Sequence, residues 1–211
     1  DPDELAALTA VHGEIADVWP LTPLQEGLYY QAQMDADADI YTAQFWLDFG
    51  HRIDPVALTD ATYALLHGNP ELRAAFVEHD GRPVQIIAAD VRPDVAEIDL
   101  SDATNPDLSE RVERILAEDR ATSFRLDRAP LWRMRLIHLP GGRDRLVVNR
   151  RFLLWDGWSG GLFVSRLLAH LHHTPVPARE ASLRDYLVWL AANGSDDASI
   201  TAWTDHFSGY D

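Results

Sequence analysis

The residues best suited to chemistry lie in one stretch, Asn149 to Ser159, which reads N-R-R-F-L-L-W-D-G-W-S. Asp156 is its one carboxylate and admits two roles. It either contacts substrate, or it is a buried carboxylate that pairs with an arginine and holds the loop, because an unpaired buried charge is costly. Arg73 and Arg151 are the candidate partners. Gly157 suits a tight turn or a close backbone approach. Trp155 and Trp158 are read as packing residues before substrate platforms. Ser159 suits either a hydrogen bond to substrate or the N-cap of a following helix. Arg151 is a permanent cation, and Phe152 has neither a lone pair nor a titrating proton. Neither can act as a base.

Other nucleophiles and ligands are few. The chain has no cysteine, which excludes thiol catalysis, a disulfide framework and a thiolate metal site. It has no lysine, which excludes a Schiff base. Nine histidines remain. His172-His173, with His170, has the look of a metal cluster, but no carboxylate or thiolate stands at matching local spacing, and no metal is expected. A helix C-terminus, where cations are favoured, is the reading preferred for them. His67 and His138 are expected on partly buried faces; His12, His51, His79 and His206 are expected in loops or at the surface. None is expected to serve as a base.

The elements that position the stretch follow from periodicity. Thr22 with Gln25 makes a capping box, and Pro23 stands at the first helical position of a helix predicted to end near Met34. Asp35 to Asp39 reads as a loop. From Tyr41 to Phe49 the alternation predicts a strand with Tyr41, Ala43, Phe45, Leu47 and Phe49 on a well-buried face. Asp54 and Pro55 open a helix that Gly68 follows. A hairpin over Phe76 to Ile87 turns at Asp80-Gly81, and Pro83 marks an edge. A helix is predicted over Asp107 to Ala121. Strands Leu131 to Leu139 and Arg145 to Phe152 are joined by Pro140 to Arg143. Helices are predicted over Gly160 to Leu171, after a cap at Ser182, and over Ile200 to Phe207. Thr174 to Ala181, with two prolines, is the candidate linker. The mixture predicts an α+β layered fold.

The bulk numbers set the frame. A chain of 211 residues, 46% hydrophobic and 25% charged, suits one large domain or one lobe of a two-lobed enzyme. A net charge of −16 argues against nonspecific binding to nucleic acid or anionic lipid. No apolar run approaches the roughly 20 residues that span a membrane. The acidic start, Asp1-Pro2-Asp3-Glu4, lacks the basic region of a signal peptide. The expected location is cytoplasmic.

Asp156-Gly157-Trp158-Ser159 resembles the second half of the His-His-x-x-x-Asp-Gly motif of nonribosomal peptide synthetase condensation domains, members of the chloramphenicol acetyltransferase-like superfamily. Four more stretches are similar to family motifs in the same order. They are Pro20 to Gly27, Asn69 to Phe76, Phe124 to Leu136 and Arg184 to Trp189. The resemblance covers about Trp19 to Trp203.

The resemblance implies a chloramphenicol acetyltransferase-like lobe, with a mixed, mainly antiparallel sheet and helices packed on it. It implies that residues 1–175 form an N-terminal lobe and 176–211 a helical connection towards a C-terminal lobe, with the active site in a tunnel between lobes. It implies amide formation between carrier-protein-tethered thioesters, in antibiotic or siderophore biosynthesis. The partners are then peptidyl carrier proteins, the C-terminal lobe and, in one case, tailoring enzymes. No cofactor is bound directly; the substrates ride on phosphopantetheine arms. Half the tunnel is not expected to turn over by itself.

Counting back from Asp156 sets the two motif histidines at Arg151 and Phe152. The family implies that the second histidine orients or deprotonates the attacking amine, and a neutral imidazole suits that task. With Asp156 and Gly157, these positions make the candidate catalytic set; Trp158, Ser159, Arg73 and Trp155 are tunnel or structural candidates. The family implies the structural role for Asp156. Two functions follow. One is a disabled peptide-bond-forming lobe. The other is a non-catalytic platform like the X-domain of glycopeptide synthetases, which has a degraded motif and recruits monooxygenases to a carrier-bound peptide. A stand-alone acetyltransferase would need the motif histidine.

Overall fold

Alternating apolar strands and amphipathic helices account for the order of elements. The computed structural model describes residues 2–34, 41–104, 107–176, 178, 181–194 and 197–209. The chain divides into two units, Asp1–Pro177 and Ala178–Asp211. In the first unit the order is α1 (Pro2–His12), β1 (Ile15–Pro20), α2 (Pro23–Met34), β2 (Thr42–Phe49), α3 (Pro55–Gly68), a 3₁₀ turn (Pro70–Arg73), β3 (Ala74–His79), β4 (Arg82–Ala88), β5 (Val95–Asp99), α4 (Asp107–Ala121), β6 (Trp132–Leu139), β7 (Arg143–Arg151) and α5 (Gly157–Leu171). The expected loop at Asp35 to Asp39 lies outside the described residues, as do residues 177, 179 and 180 of the expected linker.

Two sheets form the frame. The smaller has the order β1-β4-β3, all antiparallel. The larger has the order β2-β7-β6-β5, with only β5 parallel to its neighbour. The β3–β4 turn is the expected one: Asp80 (φ 50°) and Gly81 (φ 73°) both adopt left-handed backbone, as a two-residue hairpin turn requires. Pro83 lies in the central strand of its sheet rather than in an edge strand. It is tolerated because β1 reaches only to Val84, leaving the first two residues of β4 paired with β3 alone.

The larger sheet is covered on both faces. Val112 and Leu116 of α4 pack on Ile137, Leu139 and Val147. Beside this apolar patch, Asp119 of α4 accepts hydrogen bonds from Arg133 Nε at 2.9 Å and Arg135 Nε at 3.0 Å, and from the Asn149 amide. On the opposite face, Trp132 meets Phe163 of α5 edge to face, with ring centroids 5.1 Å apart. Helix α3 packs beside α5 and buries Leu58, Leu65 and Leu66. The expected inner face of β2 is only half-buried, because β2 is the edge strand.

At the turn end of β6 and β7, His138 bridges two carboxylates. Its Nδ1 is 2.8 Å from Asp144 Oδ1 and its Nε2 is 2.7 Å from Glu97 Oε1. Asp144 is fully buried and also accepts from Arg52 Nη1 at 2.7 Å and from the Ile53 N–H at 2.6 Å. This hub ties the start of α3 to the sheet.

The second unit holds α6 (Leu183–Asn193) and α7 (Asp197–Phe207). Ser182 and Asp185 form a reciprocal capping box, with bonds of 3.0 Å and 2.9 Å. Helix α7 starts three residues before the expected Ile200. No helix among the described residues is long and apolar enough to cross a membrane.

Candidate active site

Strand β7 delivers the motif. Residues alternate along it, so Asn149 and Arg151 face α4, while Val148 and Arg150 face α5. Arg151 is the last residue of the strand. Its N–H donates to the Leu131 carbonyl at 3.0 Å and its carbonyl accepts from Leu154 at 3.2 Å, which closes a tight turn. The Phe152 N–H donates to the Tyr41 carbonyl at 2.9 Å. Arg151 is therefore buried, at 6% exposure, whereas Phe152 emerges at 41%. Position 152 presents an aromatic face outward, and position 151 lies beneath the surface.

The loop after β7 is anchored from three sides. Leu153, Leu154 and Trp155 are buried. The Gln25 amide donates to the Leu153 carbonyl at 3.1 Å, which ties α2 to the loop. Gln25 also completes the expected capping box, with Thr22–Gln25 bonds of 3.0 Å and 3.2 Å. The sequence revealed the cap but not the second use of this side chain. Trp155 stacks on Phe163, with centroids 5.0 Å apart and an interplanar angle of 16°. The packing role expected for Trp155 has its contacts here.

Asp156 is exposed, not buried, and it pairs with neither Arg73 nor Arg151. It is the N-cap of α5, and its Oδ1 accepts the Ser159 N–H at 2.8 Å. This bond holds its carboxyl below the usual carboxylate range, with a smaller contribution from the nearby Arg150 charge. Ser159 is therefore the recipient of the cap and not the cap itself, so α5 begins at Gly157 instead of the expected Gly160. Arg73 is spent elsewhere. Its Nη1 donates to the Ala88 carbonyl at 2.8 Å and also to that of Ala89, clamping the end of β4. Gly157 has no positive φ, and among the described residues nothing lies within 4 Å of where a side chain would start, so neither a left-handed turn nor a close approach explains it. Trp158 is 88% exposed and packs on little within the described residues.

One residue of the site was not singled out from sequence. Arg150 is 4% exposed. Its Nη1 donates to the Trp155 carbonyl. Its guanidinium carbon lies 4.7 Å from the Phe152 ring centroid and 5.1 Å from that of Trp155. Burial pushes the guanidinium groups of Arg150 and Arg151 down from their ordinary value, but both remain cations. The available signal was an arginine two residues after the apolar run Leu146-Val147-Val148, on the same strand face as Val148. Among the described residues no cluster of three or more metal-ligating side chains exists. His170 lies in the last turn of α5 and His172 is its C-cap.

These observations define a chloramphenicol acetyltransferase-like lobe with a strand–loop–helix corner. A family model described as Condensation domain matches residues 15–207. The chain belongs to the condensation-domain family. A linear gramicidin synthase of Brevibacillus parabrevis is 30% identical over 189 residues, which are 86% of this chain and 4% of that protein. Bacitracin synthase 1 of Bacillus licheniformis is 27% identical over 205 residues, 94% of this chain and 4% of that protein. Among solved structures, the first condensation domain of the calcium-dependent antibiotic synthetase, in complex with a substrate analogue, matches with a TM-score of 0.76 and 25% identity. That match covers 92% of this chain and 49% of that one. The starter condensation domain of rhizomide synthetase matches with a TM-score of 0.79 and 16% identity, covering 90% and 50%. The chain thus spans about half the length of the solved condensation-domain chains it matches.

Proposed function

We propose that this chain is the N-terminal lobe of a condensation domain whose amide-forming chemistry lacks its proton acceptor. In the intact domain, an amine on one carrier protein attacks a thioester carbonyl on another. The new C–N bond forms, the C–S bond breaks, and the amine proton must leave. The observation that carries the reading is the pair of positions 151 and 152. The outward position holds Phe152, at 41% exposure, and the inward one holds Arg151, at 6%. Neither takes up a proton at neutral pH. Asp156 is an unsuitable substitute, since its carboxylate is committed to the α5 cap and held further from protonation.

Residual rate then rests on positioning of the two arms. Peptidyl carrier proteins, bearing phosphopantetheine-linked acyl groups, and the C-terminal lobe are the partners this reading requires. Exposed Trp158 and Leu162, at 88% and 58%, favour a second reading, a platform that binds a tailoring enzyme.

The test uses the full two-lobed protein with both carriers loaded. The disabled-enzyme reading expects R151H/F152H to form amide much faster than the native protein. No gain, together with saturable binding of a tailoring enzyme that W158A abolishes, would favour the platform. Rapid amide formation by the native protein would overturn both.

A further inference from the structure

We propose that Arg150 is a positioning residue for the outward position of the motif: it holds the ring at position 152 against the loop and places a fixed cation beneath it. This rests on the reading that position 152 faces the reaction site.

Three contacts carry the proposal. First, Arg150 is anchored at its far end by the Trp155 carbonyl, so the loop that follows β7 fixes the guanidinium. Second, the same guanidinium lies over two rings, Phe152 at 4.7 Å and Trp155 at 5.1 Å, within the range of an attractive cation–π contact. Third, Trp155 is itself immobilised by stacking on Phe163, which meets Trp132 edge to face. A rigid aromatic wall thus holds the cation, and the cation holds the exposed ring. Among the described residues the Arg150 Nε has no hydrogen-bond partner. The rings supply what the side chain would otherwise seek from an anion.

Arg150 lies under the ring and Arg151 precedes it on the strand. Asp156 is close enough to act on Arg150 electrostatically, but its carboxylate is bound at Ser159. A motif imidazole orients an amine best when neutral, and a buried cation beneath it would keep it so to lower pH.

The test is nuclear magnetic resonance on the full chain. In the native protein, cross-relaxation is expected between the Phe152 ring protons and the Arg150 side chain. In F152H, the introduced imidazole is expected to titrate below the ordinary value of about 6.5. In R150M/F152H it should move back up by roughly one unit, a tenfold change in its acidity. R150K/F152H keeps the charge without the planar fork; it should leave the titration low but broaden the ring contacts. An imidazole that titrates at its ordinary value and ignores R150M, in a protein with native dispersion, would overturn the proposal. So would the absence of Phe152–Arg150 contacts in the native protein, a result that needs no variant. These readouts report local geometry, so they remain decisive whether or not amide formation is recovered.

Discussion

Asp156 Oδ1 accepts the backbone N–H of Ser159 at 2.8 Å, and this one bond decides where α5 starts. It also separates the scaffold half of the motif from its chemical half. The carboxylate shapes the corner and holds the helix; it is not poised to accept a proton. D156A should cost roughly 0.5–2 kcal/mol of stability, as loss of an N-cap does. D156N, which keeps an acceptor oxygen, should recover most of it. Chemical denaturation of both variants checks this. Equal destabilisation by both would mean that charge, not capping, is what matters.

Trp155 is expected to be far less tolerant. It is buried and stacked on Phe163, so W155A should cost about 3–5 kcal/mol through lost burial and a residual cavity. Its Nε1 has no hydrogen-bond partner among the described residues, so W155F should cost much less than W155A. Melting temperatures of the two variants measure the difference.

Asp119 is the shared acceptor of Arg133, Arg135 and Asn149 under α4. D119A would leave the Arg133 guanidinium, which is 4% exposed, without its carboxylate. A loss of about 3–5 kcal/mol is expected, because breaking a buried pair strands a charge. An unchanged denaturation midpoint would show that the network is dispensable.

The His138 hub gives the stability a pH dependence. Burial alone would push the imidazole pKa down, but hydrogen bonds to Asp144 and Glu97 outweigh that and raise it. A group whose folded pKa is raised stabilises fully below its unfolded value of about 6.5 and loses that contribution as pH rises through the folded value. Stability should therefore fall as the solution is taken from about pH 6.5 into the alkaline range. H138Q should flatten that fall. Urea midpoints across this range are the measurement, and a native profile that H138Q does not alter would remove His138 from the account.

Much of the frame was legible in the chain. Helix α4 runs from Asp107 to Ala121 as its apolar stripe predicts, and the Asp80-Gly81 turn and the caps at Thr22, Asp54 and Ser182 form as their residue types require. The misses have physical causes. Strand β5 is short and bonds to β6 in parallel, a pairing with no local signature. Helix α1 and strand β1 were not singled out; β1 carries Asp17 and ends in Pro20, both poor strand formers. At the corner, the motif letters located Phe152 and Asp156 but not their surroundings. Whether Asp156 pairs with an arginine or caps a helix depends on where the chain turns, and the turn is set by the burial of Leu153 to Trp155. Arg150 escaped notice because a buried arginine stabilised by rings leaves no complementary acidic residue to find.

The most direct measurement is the pH dependence of single-turnover amide formation in the full two-lobed protein, native against R151H/F152H, with both carriers loaded. A general base contributes on the order of 10²–10⁴ in rate. The account predicts a gain of that order in R151H/F152H, rising with pH along a limb set by the introduced imidazole, while the native rate shows no such limb. A native rate equal to that of R151H/F152H, with the same pH profile, would contradict it.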